Sequence, residues 1–362
     1  MSYDALFEEV TFHKMKLKNR LVMAPMTTIS GEADGSFSAQ EITYLSQRAK
    51  GGIGTIITPA CYVHKSGHAF ERQVGCHTDE LIPSLKECAE AISRYGAASI
   101  LQIHHGGNAA KEPLSGCRPL APSAIQNRRG TSEMPQAMTE DQILMLISSF
   151  ARSSGRAKQA GFTGIEIHGA NTYLLQQFFS PYTNRRKDKW GGSFDNRTRF
   201  ACEVVKEIRT EVGEHYPVIY RISPEEEDPL GYSTFDTITF LESLVAFGID
   251  VIHVSSWEFH DNLRKDIPKG TNPTALIKKA FPDIPVIGVG GITTPEQAMD
   301  VREQGIDLVA MGKALMLEKD WARKVQSGQE DKIRTRITTE EERALLDIPD
   351  HMKEYSRHFF KV

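Results

Sequence analysis

The chain has 362 residues, of which 40% are hydrophobic and 25% are charged, and its formal net charge is −4 at pH 7. This length and composition allow two modest domains or one large α/β barrel, and they argue against a disordered chain. The small net charge argues against nucleic acid or an anionic membrane as a partner. No segment has the roughly 18 uninterrupted apolar residues of a membrane helix, and the polar start lacks a signal-peptide pattern. We therefore expect a cytoplasmic protein.

The cysteines indicate reduced thiols rather than a disulfide framework or a metal centre. They are odd in number, widely spaced and without a C-x-x-C motif, which argues against disulfides, zinc and iron–sulfur clusters. The five residues are Cys61, Cys76, Cys88, Cys117 and Cys202. We predict no metal site, and reduced thiols of this kind are typical of a cytosolic protein.

Eight short segments are almost wholly apolar and rich in β-branched residues, as expected of strands that are buried on both faces. They are residues 21–26, 55–59, 99–103, 164–168, 218–222, 251–255, 285–289 and 308–311. Each is followed by a turn rich in glycine, proline or asparagine and then by a helical pattern. The alternation of strands with helices predicts a parallel sheet.

The segments between the strands show amphipathic helical periodicity. Examples are residues 81–95, 141–160, 196–212, 237–247 and 294–304. Eight strand–helix units in about 310 residues favour a closed (β/α)8 TIM barrel over an open doubly wound sheet. The open sheet would need a glycine-rich fingerprint after the first strand, where this chain has Ala24-Pro25-Met26-Thr27. We predict one α/β domain over residues 1–362, with a carboxyl-terminal tail from about residue 318.

In a barrel of this kind, chemistry lies at the carboxyl ends of the strands. The residues that follow the predicted strands are mostly polar, capable of hydrogen bonding and poor in carboxylates. They are Pro25, Met26, Thr27, Ala60, Gln102, His104, His105, His168, Asn171, Tyr173, Arg221, Trp257, Gly290, Gly291, Gly312 and Lys313.

Two glycine turns end the last two strands, Gly290-Gly291 after the seventh and Gly312-Lys313 after the eighth. Barrels often bind phosphate at these two loops. Glycine lets backbone N–H groups approach a phosphate closely, and Lys313 would add a positive charge. The alternative is that both glycine turns only close tight loops.

Arg221 and Gln102 are polar residues inside apolar strands. An inward-pointing arginine keeps its charge and needs a partner. That partner is either an acid of the run 224–229, such as Glu225, Glu226 or Asp228, or an electron-rich ring or developing anion. Gln102 offers a donor and an acceptor that suit a pyrimidine-like edge, or it is a satisfied core glutamine. The acidic run itself is expected to be a solvated loop rather than a metal site.

His168, Asn171 and Tyr173 follow the fourth strand in the pattern H-x-x-N-x-Y. A histidine and an asparagine together can donate two hydrogen bonds to one oxygen that gains negative charge. A tyrosine hydroxyl can deliver a proton. A single histidine at a strand end is often structural, but the close spacing of the three favours a functional site. Because no nucleophile-elbow motif is present, hydrolysis by a catalytic triad is disfavoured.

These residues resemble those of the Old Yellow Enzyme family of FMN-dependent NAD(P)H oxidoreductases, over nearly the whole chain. The matching segments are NRLVMAPMT (19–27), LQIHHGG (101–107), residues 161–200, VIGVGGI (286–292) and DLVAMGKAL (307–315). The block 161–200 is the most specific, because its H-x-x-N-x-Y is followed by SP, N-x-R, GGS and NR-x-RF. In that block we expect Gly191-Gly192 to form a turn and Ser193 or Asp195 to cap the next helix.

The resemblance implies a single (β/α)8 barrel with noncovalently bound FMN at its mouth. It implies that Pro25, Met26 and Ala60 line the flavin and that Thr27 bonds to the flavin O4. It further implies that Gln102 meets the pyrimidine edge, that Arg221 stabilises charge at N1 and O2, and that the phosphate is held by Gly290, Gly291, Gly312 and Lys313.

The resemblance also implies a reaction. His168 and Asn171 would bind the carbonyl oxygen of an α,β-unsaturated substrate, and Tyr173 would protonate its α-carbon. The flavin would take a hydride from NADH or NADPH and return one from N5 to the β-carbon, in a ping-pong sequence. No residue that reads the nucleotide ribose can be placed, so the electron donor stays open between NADH and NADPH.

Several positions depart from the usual pattern of the family. Thr27 stands where one branch has cysteine, and Ile29 stands where that branch has a tyrosine that contacts substrate. Lys313 replaces the usual arginine and so loses the bidentate fork. Trp257 stands where a small residue is common, and it either reshapes the substrate pocket or packs on its rim.

Other functions stay open at this stage. A quinone or nitro-compound reductase of the same fold, or a non-catalytic flavin-binding protein, would share most of these residues. An aldolase or isomerase acting on a phosphorylated sugar would need a Schiff-base lysine or a carboxylate base at a strand end. Lys313 is the only lysine that ends an apolar strand, and it stands at the phosphate position. Family analogy suggests a homo-oligomer, with the aromatic residues of segment 355–360 packing on a neighbour.

Overall fold

The computed structural model describes residues 2–12, 15–126, 133–259 and 271–356. Each predicted strand is present in it and pairs in parallel with the next. The strands are β1 (Leu21–Met23), β2 (Thr55–Ile57), β3 (Ala98–His104), β4 (Gly164–Gly169), β5 (Val218–Ile222), β6 (Val251–Ser255), β7 (Val286–Val289) and β8 (Leu308–Met311). Strand β8 also pairs with β1, so the sheet closes into a barrel. The prediction of a (β/α)8 TIM barrel is confirmed.

One helix follows each strand on the outside of the barrel. They are α1 (Ala39–Lys50), α2 (Ile82–Ser93), α3 (Glu140–Gln159), α4 (Phe194–Val212), α5 (Thr234–Phe247), α6 (Pro273–Ala280), α7 (Pro295–Glu303) and α8 (Trp321–Gln326). Side-chain caps set several of the starts. Thr139 and Gln142 form a capping box at α3, and Ser193 accepts from the backbone N–H of Asn196 at α4, which confirms Ser193 as the cap.

Proline sets the ends of two strands. β1 and β2 end two or three residues earlier than predicted, before Pro25 and Pro59. The last ladder bonds come from Ala24 N–H and Thr58 N–H, which donate to the carbonyls of Met311 and Ile100 at 2.9 Å. Proline has no N–H to continue the ladder. The backbone therefore leaves the barrel where the predicted site begins.

The strands carry apolar side chains at the amino end of the barrel interior and polar ones at the carboxyl end. Ile100, Ile219 and Val251 belong to the buried interior cluster. Because side chains alternate along a strand, residues two or four positions later share the inward face. This places Gln102 and His104, Glu166 and His168, Arg221, and His253 and Ser255 at or below the mouth of the barrel.

A short antiparallel pair, Val10–Phe12 with Met15–Leu17, covers the amino end of the barrel. Met15 and Leu17 are buried against the interior cluster. Sequence periodicity did not predict this pair, because its strands are only three residues long. The remaining short elements are the strands Cys61–Tyr62, Leu120–Ala121 and Gln136–Ala137 and the helices Glu112–Ser115, Leu174–Phe179, Lys313–Leu317, Glu340–Leu345 and Asp350–Ser356.

The segment from about residue 318, predicted as a tail, is packed against the barrel. Trp321 in α8 is fully buried, and its indole N–H donates to the carbonyl of Thr293 at 3.1 Å. Ile337 and Met352 are also buried. The side chains of the segment 355–360, suggested for a partner contact, lie outside the described residues. The helices of the described residues include none with an apolar stretch that would span a lipid bilayer.

Candidate functional site

A cavity of about 670 Å³ opens at the carboxyl ends of β4, β5 and β6. Asn171, Tyr173, Arg221 and Trp257, all chosen from the sequence, contribute to its wall, together with Ser255, which was not chosen. His168 is buried beside them, with 3% of its surface exposed. The fold therefore brings the predicted carbonyl-binding residues and the predicted flavin-facing cation to one place.

The loop after β4 holds Asn171 in a strained backbone conformation. Asn171 and Thr172 have φ values of +57° and +67°, a left-handed region that costs a β-branched residue about 1–2 kcal/mol. Two hydrogen bonds hold the loop there. The N–H of Asn171 donates to Ser223 Oγ at 3.0 Å, and that of Thr172 donates to Gln176 Oε1 at 2.8 Å. This loop conformation directs the Asn171 side chain toward the cavity.

His168 is a neutral hydrogen-bond donor. Burial, together with nearby His104 and Arg221, lowers the pKa of His168 well below its usual value of 6.5. Its Nδ1 accepts a hydrogen bond from the backbone N–H of Ala170 at 3.3 Å. In a neutral imidazole the other nitrogen then carries the proton. His168 therefore presents Nε2–H, and its ring meets the ring of Tyr173 edge-on with centroids 4.9 Å apart.

His104 is a second neutral imidazole at the site, and sequence reasoning gave it no role. Its Nδ1 accepts from Gln73 Nε2 at 3.1 Å, so Nε2 carries the proton. This Nε2 is buried with no hydrogen-bond partner among the described residues, and burial lowers the pKa of His104 to about 3. Its ring lies edge-on to Tyr173, with centroids 4.4 Å apart. Gln73 also donates to the carbonyl of Ala60 at 2.9 Å and so connects His104 to the loop predicted to line the flavin.

Arg221 is buried, with 7% of its surface exposed, and no ion pair within the described chain joins it to the acidic run 224–229. Its Nη2 donates to Ser255 Oγ at 3.1 Å, while its Nε is buried with no partner. Burial lowers the pKa of Arg221, and the charge of Glu166 opposes that shift. A buried N–H without an acceptor fits a ligand that brings electron-rich atoms to it, as the N1 and O2 edge of FMN would.

A buried polar chain lies below Arg221 in the barrel. Gln102 Nε2 donates to Glu166 Oε1 at 2.7 Å, and His253 Nδ1 lies 2.6 Å from Glu166 Oε2. Glu166 and His253 are both fully buried. Burial alone would raise the pKa of Glu166, but His253, Arg221 and Gln102 together hold it below its usual value. The carboxylate therefore balances the Arg221 charge from inside the barrel. The Nε2 group of Gln102 already donates to Glu166, which leaves its Oε1 as an acceptor for a ligand.

The predicted phosphate turns lie together at the ends of β7 and β8, but they also have a packing role. Gly290 and Gly291 have φ values of +150° and +60°. The carbonyl of Gly290 accepts from the N–H of Phe259 at 3.1 Å, and a Cβ at residue 290 would overlap that nitrogen. The carboxylate of Glu258 lies against Gly291, so a phosphate at this turn requires Glu258 to move. The close approach of Phe259 is therefore sufficient to explain why residue 290 is glycine.

The remaining predicted flavin contacts surround the ends of β1, β2 and β8. A Cβ at Gly312 would lie 3.1 Å from Met26 Sδ, so these two turns touch. Thr27 and Ala60 share a small cleft with Ile29. The chain after β1 is strained there, because Ile29 is β-branched and has a φ of +47°. The two remaining predicted contacts are Pro25, which precedes Met26 and is half-buried, and Lys313, which follows Gly312 and is exposed.

The acidic run 224–229 differs from the solvated loop predicted for it. Glu225 is only 4% exposed. Glu226 accepts hydrogen bonds from Gln176 Nε2 at 3.2 Å and Ser180 Oγ at 2.6 Å, and burial raises its pKa. That prediction is wrong for these two residues, because the loop turns inward to form part of the cavity wall. No group of three possible metal-ligating side chains occurs in the described chain.

Trp257 forms part of the cavity wall with 73% of its surface exposed. It follows Ser255-Ser256 at the end of β6, immediately before the loop that contacts Gly290. The proposed effect of Trp257 on substrate fit stays a prediction. Beyond it, residues 260–270 lie outside the described part of the chain.

Comparison with known families and sequences gives consistent matches. The family model described as NADH:flavin oxidoreductase / NADH oxidase matches residues 5–332. The chain is 40% identical over 353 residues to NADH:fumarate oxidoreductase of Klebsiella pneumoniae, covering 94% of this chain but 37% of that protein. It is 36% identical to the probable NADH-dependent flavin oxidoreductase YqiG of Bacillus subtilis, covering 96% of this chain and 95% of that protein.

Solved structures give the same fold. A morphinone reductase in complex with tetrahydroNAD aligns with a TM-score of 0.78 and 27% identity, over 90% of this chain and 91% of that one. An old yellow enzyme homologue from Zymomonas mobilis aligns with a TM-score of 0.82 over 96% of this chain and 99% of that one. The second match is 24% identical and supports the fold alone.

Proposed function

The chain belongs to the NADH:flavin oxidoreductase / NADH oxidase family, and from this premise we propose that it is an ene-reductase acting on alkenes conjugated to a carbonyl group. The resemblance to Old Yellow Enzyme is confirmed, and the protein is an oxidoreductase with FMN as cofactor and NADH or NADPH as electron donor. The choice of substrate class and the roles of individual residues belong to the proposal.

The observation that carries the proposal is the paired donor site beside Arg221. His168 presents Nε2–H as a neutral donor, and Asn171 presents an amide at the wall of the same cavity. Two preorganised donors aimed at one oxygen stabilise the negative charge that develops on a carbonyl during reduction. A flavin store or sensor has no need for such a pair, so the site favours catalysis.

The remaining chemistry divides between the cofactor and the chain. Bound FMN supplies the redox step, accepting a hydride from the nicotinamide nucleotide and delivering one to the alkene in separate half-reactions. In this proposal Arg221 and Gln102 hold the pyrimidine edge, while His168 and Asn171 hold the substrate oxygen. Tyr173, whose ring lies edge-on to His168 and His104, delivers a proton to the α-carbon.

The charge of the cavity favours an uncharged substrate. Its described wall has five acidic residues, Glu225 to Asp228 and Glu258, and one basic residue, Arg221. A negatively charged substrate entering this wall is repelled at close range, where water screens poorly. NADH:fumarate oxidoreductase and NADH:acrylate oxidoreductase, two relatives, are named for carboxylate substrates. We propose that this chain instead prefers neutral enones such as 2-cyclohexenone.

The first experiment is an absorption spectrum of the purified protein, followed by anaerobic addition of NADH or NADPH and then of 2-cyclohexenone. We expect flavin absorption that bleaches with the nucleotide and returns with the enone. Fumarate and acrylate at the same concentration should return the absorption at least tenfold more slowly. Equal rates for charged and neutral alkenes would contradict the charge argument.

The same titration separates the alternatives. Reoxidation by a quinone or a nitroalkene but not by the enone would indicate a reductase of the same fold with another substrate class. Bleaching that no organic acceptor reverses would indicate a non-catalytic flavin protein. A protein that cannot be loaded with FMN would contradict the predicted phosphate site.

A further inference from the structure

A chain of hydrogen bonds connects the buried cation to the substrate-binding amide through one residue, Ser255. Arg221 Nη2 lies 3.1 Å from Ser255 Oγ, and Ser255 Oγ lies 3.2 Å from Asn171 Oδ1. The three residues come from β5, from β6 and from the loop after β4. All three contribute to the cavity wall.

The direction of these hydrogen bonds follows from the chemistry of the groups. A guanidinium has donors only, so the Ser255 oxygen is the acceptor from Arg221. Its single proton is then available for Asn171 Oδ1, which is the acceptor. Asn171 Nδ2 has no protein partner among the described residues, so both of its protons are left for the cavity. The charge on Arg221 polarises the serine hydroxyl and strengthens this second bond.

An asparagine amide can present either its oxygen or its nitrogen to a ligand. With the amide rotated by half a turn, Asn171 would place an acceptor oxygen opposite the substrate oxygen, and the two would repel each other. The backbone of Asn171, held by Ser223, fixes where the side chain starts but not which end of the amide faces the cavity. Ser255 is the contact that distinguishes the two ends.

We propose that Ser255 is a positioning residue that fixes the amide orientation of Asn171 so that its N–H group faces the substrate oxygen. This inference deepens the proposed function and depends on it, because it assumes that Asn171 binds that oxygen. It also couples the two halves of the site, since the same serine hydroxyl responds to Arg221.

The test measures the affinity of the FMN-loaded protein for 4-chlorophenol at one fixed pH, by the change in flavin absorption. A phenolate oxygen resembles the anionic oxygen of a carbonyl undergoing reduction, and no turnover is needed. The informative variants are Ser255→Thr and Ser255→Val, which have the same shape and differ in the hydroxyl. Ser255→Ala, Asn171→Ala and the double variant Ser255→Ala/Asn171→Ala complete a cycle.

We expect Ser255→Val and Ser255→Ala to weaken phenol binding about five- to tenfold, as for the loss of one net hydrogen bond. Ser255→Thr should stay within about twofold of the natural protein. Asn171→Ala should weaken binding at least tenfold, and adding Ser255→Ala to it should change little. Ser327→Ala is the control, because Ser327 is exposed just after α8 and is not part of the cavity wall, and it should have no effect.

The outcomes distinguish the two proposals. If Ser255→Ala weakens binding equally with and without Asn171, the serine acts elsewhere and its proposed role is wrong. The same conclusion follows if Asn171→Ala weakens binding but Ser255→Val matches Ser255→Thr. If Asn171→Ala binds phenol as tightly as the natural protein does, Asn171 does not bind the substrate oxygen. The proposed function is then contradicted, and Ser255 has no amide to orient. FMN content and thermal midpoint, measured for every variant, separate these results from misfolding.

Discussion

The two sides of the barrel mouth are built in different ways. The predicted carbonyl side is a set of buried or half-buried side chains at the ends of β4, β5 and β6, in which hydrogen bonds join Arg221, Ser255 and Asn171. It consists of His168, Asn171, Arg221 and Ser255, with Glu166 below them. The predicted phosphate side is a set of backbone turns with one exposed cation. It consists of Gly290, Gly291, Gly312 and Lys313.

The two sides differ in what fixes the positions of their ligand-binding groups. On the predicted carbonyl side, the backbone N–H of Ala170 sets the tautomer of His168, and in our proposal Ser255 sets the amide orientation of Asn171, so both donors are oriented before a ligand arrives. On the phosphate side, the close approach of Phe259 fixes the backbone at Gly290, while Glu258 lies where a phosphate would approach. Binding there requires a local rearrangement. Substitutions should therefore act through buried charge on one side and through backbone geometry on the other.

The largest effect should come from Glu166→Gln, which leaves the Arg221 charge buried without its carboxylate. The same change removes the carboxylate that His253 Nδ1 contacts at 2.6 Å, and breaking a buried charged contact of this kind costs about 3–5 kcal/mol in the free energy of unfolding. Urea denaturation of the loaded protein measures this loss. The control is Glu203→Gln on the surface of α4, where a 3.8 Å pair with Lys206 should contribute less than about 1 kcal/mol. Equal losses for both variants would show that the buried carboxylate of Glu166 does not stabilise the fold through His253 and Arg221.

A smaller effect is expected for Gly290→Ala on the phosphate side. Its new Cβ would overlap the backbone nitrogen of Phe259, so the loop has to shift. Gly213→Ala is the control, because Gly213 has a φ of +78° and open space around it. We expect about 1–2 kcal/mol of backbone strain for Gly213→Ala, and a clearly larger loss, with reduced FMN retention, for Gly290→Ala. Indistinguishable unfolding curves for the two variants would rule out a requirement for close approach.

Lys313→Ala should weaken FMN binding by about fivefold, the value of one exposed ionic contact of about 1 kcal/mol. Lys313→Arg should bind FMN at least as tightly as the natural protein, because a guanidinium can hold a phosphate through two hydrogen bonds. Quenching of FMN fluorescence by the apoprotein measures both. Lys206→Ala on α4 is the control for a lost surface charge. An unchanged affinity of Lys313→Ala for FMN would show that Lys313 does not contribute to phosphate binding.

The smallest effect should be that of pH on substrate binding. Because the pKa of His168 lies well below 6.5, its donor proton is present and its ring uncharged from pH 6 to pH 8. Enone affinity should change by less than about twofold over that range. A binding midpoint near pH 6.5 would contradict this. Stability should behave differently: below pH 6.5 the unfolded chain takes up a proton that the native His168 does not, so the free energy of unfolding falls as pH falls.

The sequence predicted the barrel strands and the H-x-x-N-x-Y cluster well, because both depend on local pattern. The predicted ends of β1 and β2 were two or three residues too late, because the prediction carried each strand through its proline, Pro25 or Pro59. The roles of Ser255, His104 and Glu166 were missed. A serine, a histidine and a glutamate in apolar strands have no distinctive signal until the register sets which of them meet, as Gln102 meets Glu166 across β3 and β4.

The acidic loop 224–229 is a second place where residue types alone were misleading, because carboxylates predicted to be exposed are wholly or partly buried. A run of carboxylates at Glu225 and Glu226 indicates solvent exposure by composition alone. The structure buries Glu225 and half-buries Glu226, because Ser180 and Gln176 on a separate segment donate hydrogen bonds to Glu226 that the sequence could not reveal.

By itself, the sequence determined the barrel, its strand order and the residue types at the strand ends, since hydrophobic periodicity and turn residues are local properties of the chain. Only the tertiary structure decided which polar side chains meet. The contact of Ser255 with Asn171, the Glu166–Arg221 balance and the contact of Glu258 with Gly291 all join residues that are brought together by strand register or by the packing of neighbouring loops. These contacts depend on burial and hydrogen-bond geometry, which exist only once the barrel has closed.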